Sequence, residues 1–422
     1  MNFVLLLLLM TAIILLPTEY FTRIRIRTRK KGDAEERPKD SFRYESSDRS
    51  RENHLHIIKN TFIRSVVWLI ALVILIWTMA PSAAFILFLI AIKLIMAPFE
   101  LLFFGRGSDN WRNTVKALLF LVLLILPVTS LVYYQQVQRV ANAAYFNSQI
   151  TVTTGFPFKN AIPDENVRLV TEEFATSRAR SSMSEFGSNR EIKSTHITLI
   201  NGRLVWVSTV GSTNVYSENF LAGFIVIDAN DPNASPIIVH QTFIKGEGLW
   251  WSNTIQFGAY LDDSNYIYGG AYPTTTPDGQ WRYILTRESF GYDLIDKAIP
   301  PLVYDETGTV TNQFTSFKDT PPWVTQPYSE TWIESMISQW GQFRRGATFD
   351  WWAGGFPFFA APSRDRVERS EDTRFIIDPD TNELVALIAV HPTTSDQTLA
   401  GMFVIRHNSM TYYDFHARHV LN

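Results

Sequence analysis

Long runs of hydrophobic residues with almost no charge occupy most of the first third of the chain. The four runs are Asn2–Phe21, Thr61–Ala80, Phe85–Phe104 and the stretch from Ala117 to about Tyr134. A helix needs about 20 apolar residues to cross a hydrocarbon core that is roughly 30 Å thick. The pattern therefore predicts four transmembrane helices, the first within residues 1–22 and the other three within residues 61–134.

Basic residues between these runs predict how the helices are oriented. The sequence RIRIRTRKK at Arg23–Lys31 opens a polar linker over residues 23–60, and Arg106, Arg112 and Lys116 lie between the third and fourth runs. Loops rich in lysine and arginine stay on the cytoplasmic side of a membrane. We therefore expect an integral membrane protein with a basic cytoplasmic loop, whose N-terminus and C-terminal domain are both extracytoplasmic.

Three ionisable residues in the predicted membrane region need partners. Lys93 falls near the centre of the third run, and Glu100 lies seven residues later, on the same helix face. Arg64 is near the inner end of the second run. Because a charge at the centre of a membrane helix costs roughly 2.5–3.5 kcal/mol, we expect these residues to form intramembrane charge pairs, within the chain or between subunits. The alternative is an ion or proton path that uses Lys93 and Glu100.

The pattern of the chain changes after the fourth run. Residues 135–160 begin with a polar, alanine-containing helical pattern and are predicted to form a helical stalk, and residues 161–422 are predicted to form a β-rich extracytoplasmic domain. Within this domain, Val167, Val170 and Phe174 have helical spacing, so one helix is expected over Glu165–Ala179. From Ile192 onward strands dominate, and Asn201-Gly202 is a strong signal for a β-hairpin turn.

A second helix and an aromatic segment are predicted near residue 340. The helix has one apolar face and can be capped by Ser329; the residues of this face are Ile333, Met336, Ile337 and Trp340. The segment that follows mixes glycine and proline with aromatic rings, so we expect an irregular loop there. It is predicted to contact a membrane interface or a partner protein, with burial in the core of the domain as the alternative. Its rings are Trp351, Trp352, Phe356, Phe358 and Phe359.

Parts of the β-rich domain resemble one another. Asn201–Asp231 and Thr381–Asn408 each contain a turn, a β-branched strand, a polar connection, the triplet LAG and a second apolar strand. Asp278–Gly308 is a looser third version. The spacing is too irregular for a propeller or solenoid, and chance similarity between β-rich segments is the alternative. The predicted fold is an α-helical membrane anchor of four helices plus a mainly-β (α+β) domain, in which two or three related antiparallel units form one or two β-sandwich or barrel-like sheets.

The order of several short motifs carries a resemblance to a known group of proteins. The motifs are NGRLVWV at Asn201, GFIVID at Gly223, DGQWRY at Asp278, PPWV at Pro321 and the helix end at Trp340-Gly341, followed by an Asp-rich turn. This order resembles an uncharacterised family of bacterial and phage-borne multispan membrane proteins with a large β-rich extracytoplasmic domain. The similarity spans Ile162–Tyr413 and implies architecture alone, without any active-site residue.

The amino-acid composition excludes several kinds of catalytic and metal-binding chemistry. The chain has 422 residues, a formal net charge of -3 and no cysteine. Thiol nucleophiles, disulfides and cysteine-ligated metals are therefore excluded, and the near-neutral charge gives no reason to expect a nucleic-acid partner. The sequence contains no nucleophile elbow, phosphate-binding loop or HExxH motif. We nominate no catalytic, cofactor-binding or metal-binding residue and expect no cofactor.

These observations predict a membrane-anchored structural or assembly subunit of a larger membrane complex. Its β domain would bind other protein subunits, including further copies of the chain, and the lipid bilayer would be its second partner. One alternative is a transporter or channel component that uses Lys93 and Glu100. The other is a surface hydrolase, because hydrolase sites leave little trace in a sequence; an enzymatic role therefore stays open.

Overall fold

A computed structural model of the chain describes residues 70, 136–290, 293, 295–344, 348–349, 360–362, 365–393 and 399–415. The chain divides into two compact units, and nearly all described residues belong to the unit formed by Tyr133–Asp262 and Tyr266–Asn422. The fold of this unit is mainly β, with four helices among the described residues. Its mainly-β character agrees with the prediction for the C-terminal part of the chain.

The predicted membrane anchor is not supported. None of the described helices is long and apolar enough to cross a membrane, so the prediction of an integral membrane protein with transmembrane helices, an extracytoplasmic domain and a cytoplasmic loop is wrong for these residues. The four apolar runs behind that prediction lie outside the described residues, except for Ile70. The described helices instead pack against β-sheets of their own unit.

The helices and strands are numbered here in chain order. The helices are α1 (136–149), α2 (Glu172–Ser182), α3 (Ile255–Asp262) and α4 (Glu330–Phe343). The strands are β1 (Ile150–Thr154), β2 (Arg190–Ile200), β3 (Arg203–Ser212), β4 (Leu221–Asp228), β5 (Ile237–Val239), β6 (Ile267–Thr275), β7 (Trp281–Phe290), β8 (Asp296–Tyr304), β9 (Val310–Gln313), β10 (Thr348–Phe349), β11 (Ala360–Ala361), β12 (Val367–Ile377), β13 (Leu384–Pro392), β14 (Gly401–Ile405) and β15 (Met410–Asp414).

Three sheets are built on the same plan. The first sheet joins β2, β3, β4 and β5, the second joins β6, β7, β8 and β9, and the third joins β12, β13, β14 and β15, each as consecutive antiparallel strands. In the third sheet β1 is added in parallel beside β15. A small fourth sheet pairs β10 with β11.

The related segments of the sequence occupy equivalent places in these sheets. Asn201–Asp231 contains β3 and β4, Asp278–Gly308 contains β7 and β8, and Thr381–Asn408 contains β13 and β14. Each pair forms the second and third strands of its sheet. The segments were expected to share one or two sheets. They form three separate sheets instead, because each pair is flanked by its own first and fourth strands.

Two hydrophobic clusters hold the helices on the sheets. Under α2, Ala175 and Ala179 are fully buried beside Leu204 and Trp206 of β3. The Trp206 indole N–H donates to the Val170 carbonyl at 2.9 Å, so even the polar atom of this buried ring has a partner. The second cluster packs α4 and Phe146 of α1 against the third sheet.

The predicted amphipathic helix near residue 340 is confirmed as α4. Its N-cap is Ser329, whose hydroxyl oxygen accepts from the backbone N–H of Trp332. The residues predicted for its apolar face are all buried: Ile333, Met336, Ile337 and Trp340. Trp340 contacts the rings of Phe403 and Tyr412 edge to face, at centroid distances of 5.1 and 4.9 Å. The sequence pattern therefore identified both the start of the helix and its buried face.

Two other predicted elements are wrong in their extent. Helix α2 starts at Glu172, seven residues after the predicted start, because Asp164–Asn166 form only a short 3-10 turn and the backbone is extended at Val167 and Thr171. There the backbone N–H groups of Leu169 and Val170 both donate to the Ala229 carbonyl at 2.9 Å. The predicted helical stalk ends at residue 149, where β1 begins and pairs with β15.

Gly341 marks the closest approach of α4 to the third sheet. A Cβ atom at this position would lie 2.2 Å from the Val367 carbonyl oxygen of β12. We expect Gly341→Ala to lower the free energy of unfolding by up to about 2 kcal/mol, because forced contacts of this kind cost about 1–3 kcal/mol and the gain in helix propensity returns roughly 1 kcal/mol of it.

Urea unfolding of the purified chain measures this effect. Ser338→Ala is the matched control, since Ser338 is exposed on the same helix and should be neutral or slightly stabilising. A Gly341→Ala protein as stable as the Ser338→Ala protein would show that the backbones do not approach this closely.

Candidate functional site

A line of polar side chains joins the first and second sheets in the interior of the unit. Thr198 of β2, Thr274 of β6 and Thr325 are all buried. The Thr198 hydroxyl lies 3.0 Å from the Thr325 hydroxyl and 3.4 Å from that of Thr274. Thr274 in turn donates to the Trp323 carbonyl at 3.3 Å. These bonds fix the segment before α4 between the two sheets.

An ion pair extends this polar line. His196 Nε2 lies 2.5 Å from Glu247 Oε2, and the Ala271 N–H donates to Glu247 Oε1 at 3.3 Å. Burial favours the neutral carboxyl group of Glu247, but the charge of His196 and hydrogen bonds from His196, Ser194 and Ala271 outweigh it, so the pKa lies below its ordinary value. The His196 ring also meets the Tyr272 ring edge to face at 5.1 Å. The pair thus links the first sheet to the second.

A cavity of about 200 Å³ opens where the first hairpins of the three sheets converge. Its walls come from the β2–β3 turn, the β6–β7 turn, the β12–β13 turn and the segment before α4. We call it the three-turn pocket. It is lined by Leu199, Asn201, Gly202, Thr275, Thr276, Pro277, Pro322, Trp323, Thr325, Asn382 and Glu383. The pocket lies directly beside the buried threonines, since Thr325 belongs to both.

Thr325 also lines a second cavity, but this one is too small for an organic ligand. Its volume is about 30 Å³, which suffices for one or two water molecules. Apolar side chains such as Ile333, Phe375 and Ile388 supply much of its wall. Among the described cavities, the three-turn pocket is therefore the one with room for a ligand.

Two loops present an exposed group of aromatic rings. Tyr216 is 78% exposed and Trp251 is 50% exposed. The Tyr216 ring lies 5.2 Å from the Trp250 ring, and the Trp251 ring lies 5.2 Å from that of Phe257. We refer to Tyr216, Trp250 and Trp251 as the aromatic surface.

Asn219 holds the two loops of the aromatic surface together. Its side-chain oxygen accepts from the Trp250 N–H at 2.7 Å, and its amide nitrogen donates to the Trp250 carbonyl at 2.8 Å. The Asn253 side chain donates to the Asn219 carbonyl at 2.8 Å. Trp251 has a φ of +53°, in the left-handed region where a bulky residue is strained. The loops therefore hold an exposed tryptophan in a strained conformation.

Glu288, which is buried, and Asp296, which is half-buried, form an acidic pair beside α4. Burial, together with the negative charge of Asp296, raises the pKa of Glu288 to about 7. Burial raises the pKa of Asp296 to about 6. Ser329 donates a hydrogen bond to Glu288, and the Asp296 N–H donates to Asn142 of α1 at 2.9 Å. Neither carboxyl lines the three-turn pocket or the smaller cavity.

The site residues predicted from the sequence lie outside the described residues. This applies to Lys93, Glu100 and Arg64 and to the aromatic loop of Trp351, Trp352, Phe356, Phe358 and Phe359. Their predicted roles stay untested. The three-turn pocket instead uses the Asn201-Gly202 turn, the turn at Asn382 and Trp323. The sequence indicates each of these features separately, but it does not indicate that they lie together in the fold.

Neither metal chemistry nor similarity to known proteins assigns a role to these sites. Within the described residues, no three His, Asp or Glu side chains are grouped so as to hold a metal ion. The chain matches no protein-family model, no curated protein and no solved structure.

Proposed function

We propose that the protein is a structural subunit of a larger assembly and that its β domain binds other protein subunits through the aromatic surface. The observation that carries this proposal is the exposed Trp251 at a φ of +53°. A strained backbone costs about 1–3 kcal/mol and persists where the surroundings impose it, most often at functional sites. Folding of the unit gains little from this arrangement, because half of the tryptophan side chain faces solvent.

The chemistry of the aromatic surface suits a protein partner. Trp and Tyr are enriched among the residues that contribute most to protein–protein binding, since they offer a large area and lose little conformational entropy. The Asn219 hydrogen bonds fix the two loops before a partner arrives, which lowers the entropic cost of association. The partner subunits include, on this proposal, further copies of the same chain.

We expect Trp251→Gly to weaken assembly at least tenfold while the unfolding free energy falls by no more than about 1 kcal/mol. Glycine adopts a positive φ without strain, so the gain in backbone energy offsets the lost contact with Phe257. The measurement is the mass of the purified full chain and its complexes, by sedimentation and native mass spectrometry, alongside urea unfolding.

Phe156→Ser is the matched control for this experiment. Phe156 is 72% exposed but lies apart in sequence from the two loops, so its loss should leave assembly unchanged. Tyr216→Ser should act like Trp251→Gly. A strictly monomeric wild-type protein, or assembly that survives both aromatic substitutions, contradicts the proposal.

A further inference from the structure

The walls of the three-turn pocket are rigid. Asn201 and Asn382 sit at the tips of two turns with φ of +51° and +57°. In the second of these turns the Asp378 N–H donates to the Glu383 carbonyl, and the Asn382 N–H donates to the Asp378 carbonyl, both at 2.8 Å. In the β6–β7 turn the Thr276 N–H donates to the Gln280 carbonyl at 2.9 Å. A ligand would therefore meet a pocket that is already formed.

Two polar side chains of the pocket have no hydrogen-bond partner within the described part of the chain. The side-chain amides of Asn201 and Asn382 make no hydrogen bond there. Both residues are exposed, so their amides are open to a ligand. Each amide offers two donors and an acceptor with two lone pairs. Groups of this kind, placed on two opposing turns, can bind a ligand that carries several hydroxyl groups.

The pocket also has flat apolar walls. Trp323 is partly buried and packs against the cluster of Tyr272, Ile284 and Val324, and Pro277 and Pro322 also line the pocket. Small-molecule sites combine apolar or aromatic walls with a few polar groups that fix orientation. A sugar ring has this amphipathic character, because its C–H faces are apolar and its rim is polar.

The charges in the wall of the pocket disfavour anionic and cationic ligands. Glu383 is the single ionisable side chain that lines the pocket, and its Oε2 lies 3.1 Å from His407 Nδ1. With no lysine or arginine in the wall, an anion finds no countercharge. A cation would find only the single carboxylate of Glu383, which already shares a hydrogen bond with His407. The volume of about 200 Å³ is below the roughly 300–1,000 Å³ of sites for drug-sized ligands.

We propose that the three-turn pocket binds a neutral polyhydroxylated molecule of monosaccharide size. The Trp323 ring would contact the apolar face of the sugar, and the Asn201 and Asn382 amides would bind its hydroxyl groups. This site is separate from the aromatic surface, so it can hold whether or not the proposed assembly does.

Titration of the full chain with glucose, galactose, mannose and N-acetylglucosamine tests the proposal. We expect at least one sugar to bind with a Kd on the order of 1 mM, measured by calorimetry and saturation-transfer NMR. Glucose 6-phosphate should bind no tighter than glucose, because the wall offers no cation. Failure of all four sugars to saturate the protein, or tighter binding of the phosphorylated sugar, overturns the proposal.

Substitutions then locate the site. Asn201→Gly and Asn382→Gly should each weaken binding at least tenfold, since glycine keeps the positive φ of the turn and removes only the amide. Asn189→Gly is the matched control. Asn189 is also exposed, with a φ of +62°, but it stands just before the first residue of β2, whereas Asn201 follows the last. Trp323→Phe, which retains an aromatic ring for packing, should weaken binding less than Trp323→Ala. Binding that responds equally to Asn189→Gly and Asn201→Gly places the sugar elsewhere and overturns the assignment.

Discussion

Replacing Arg406 by methionine is expected to lower the free energy of unfolding by about 3–5 kcal/mol. Arg406 Nη2 and Nε donate to Oδ2 of Asp378 at 2.7 and 3.1 Å. The Asp378 side chain is completely buried, and its Oδ1 accepts from the Asp380 N–H at 2.9 Å. Methionine would leave this carboxylate charged and unpaired in the interior, and that is why the expected loss is large. Urea unfolding measures it.

A double variant separates loss of the ion pair from loss of packing. Asp378→Asn combined with Arg406→Met removes both charges and leaves a side-chain oxygen for the Asp380 N–H, so it should recover a large part of the lost stability. Arg282→Met is the control, because Glu306, its partner at 3.4 Å, is 47% exposed and such pairs contribute about 1 kcal/mol or less. Equal losses for Arg406→Met and Arg282→Met would contradict the argument.

The acidic pair should make the protein more stable at pH 5 than at pH 8. The pKa of Glu288 is raised to about 7 and that of Asp296 to about 6, both above their ordinary values of 4.5 and 3.8. The folded state therefore binds protons more tightly than the unfolded state. The stability that this tighter proton binding gives the folded state is fully present below about pH 4. It is lost as the pH rises through 6 and 7.

Glu288→Gln isolates this effect. At pH 8 the variant should exceed the wild type in unfolding free energy by about 3 kcal/mol, from about 2.5 pKa units at 1.36 kcal/mol each. At pH 4 the two proteins should differ little, because Glu288 is then protonated in the folded state and largely protonated in the unfolded state as well. The difference between variant and wild type at each pH cancels the titration of all other groups. A difference that does not change with pH would show that Glu288 is not desolvated by the fold.

Strong local signals in the sequence predicted some elements of the fold. The Ser329 cap and the apolar face of α4 are set by helical spacing, and the Asn201-Gly202 turn joins β2 to β3 with both residues at positive φ. These features depend on residues within a few positions of one another. Sequence reasoning is reliable there because local geometry decides the outcome.

The parts of the fold and of the sites that the sequence did not predict depend on contacts between segments that are distant in the chain. Val167 and Val170 have helical spacing, but the backbone of this segment forms hydrogen bonds to Ala229 and a β-bridge from Val167 to Ile376. The three-turn pocket needs residues from Asn201, Thr275 and Asn382 in one place, and each turn alone is ordinary. The strain at Trp251 leaves no trace in the sequence, since tryptophan is not a residue that predicts a positive φ.

The parallel pairing of β1 with β15 sets the order in which this unit can be completed. Ile150 faces Met410 in the register, so the third sheet cannot close until β15 has been synthesised, about 260 residues after β1. At about 5–20 residues per second, this delay is on the order of 10–50 s, whereas a hairpin forms in about 1–10 μs. The first and second sheets, built from consecutive strands, have time to form while translation continues. The pairing of β1 with β15 is therefore a late step in the biogenesis of the unit.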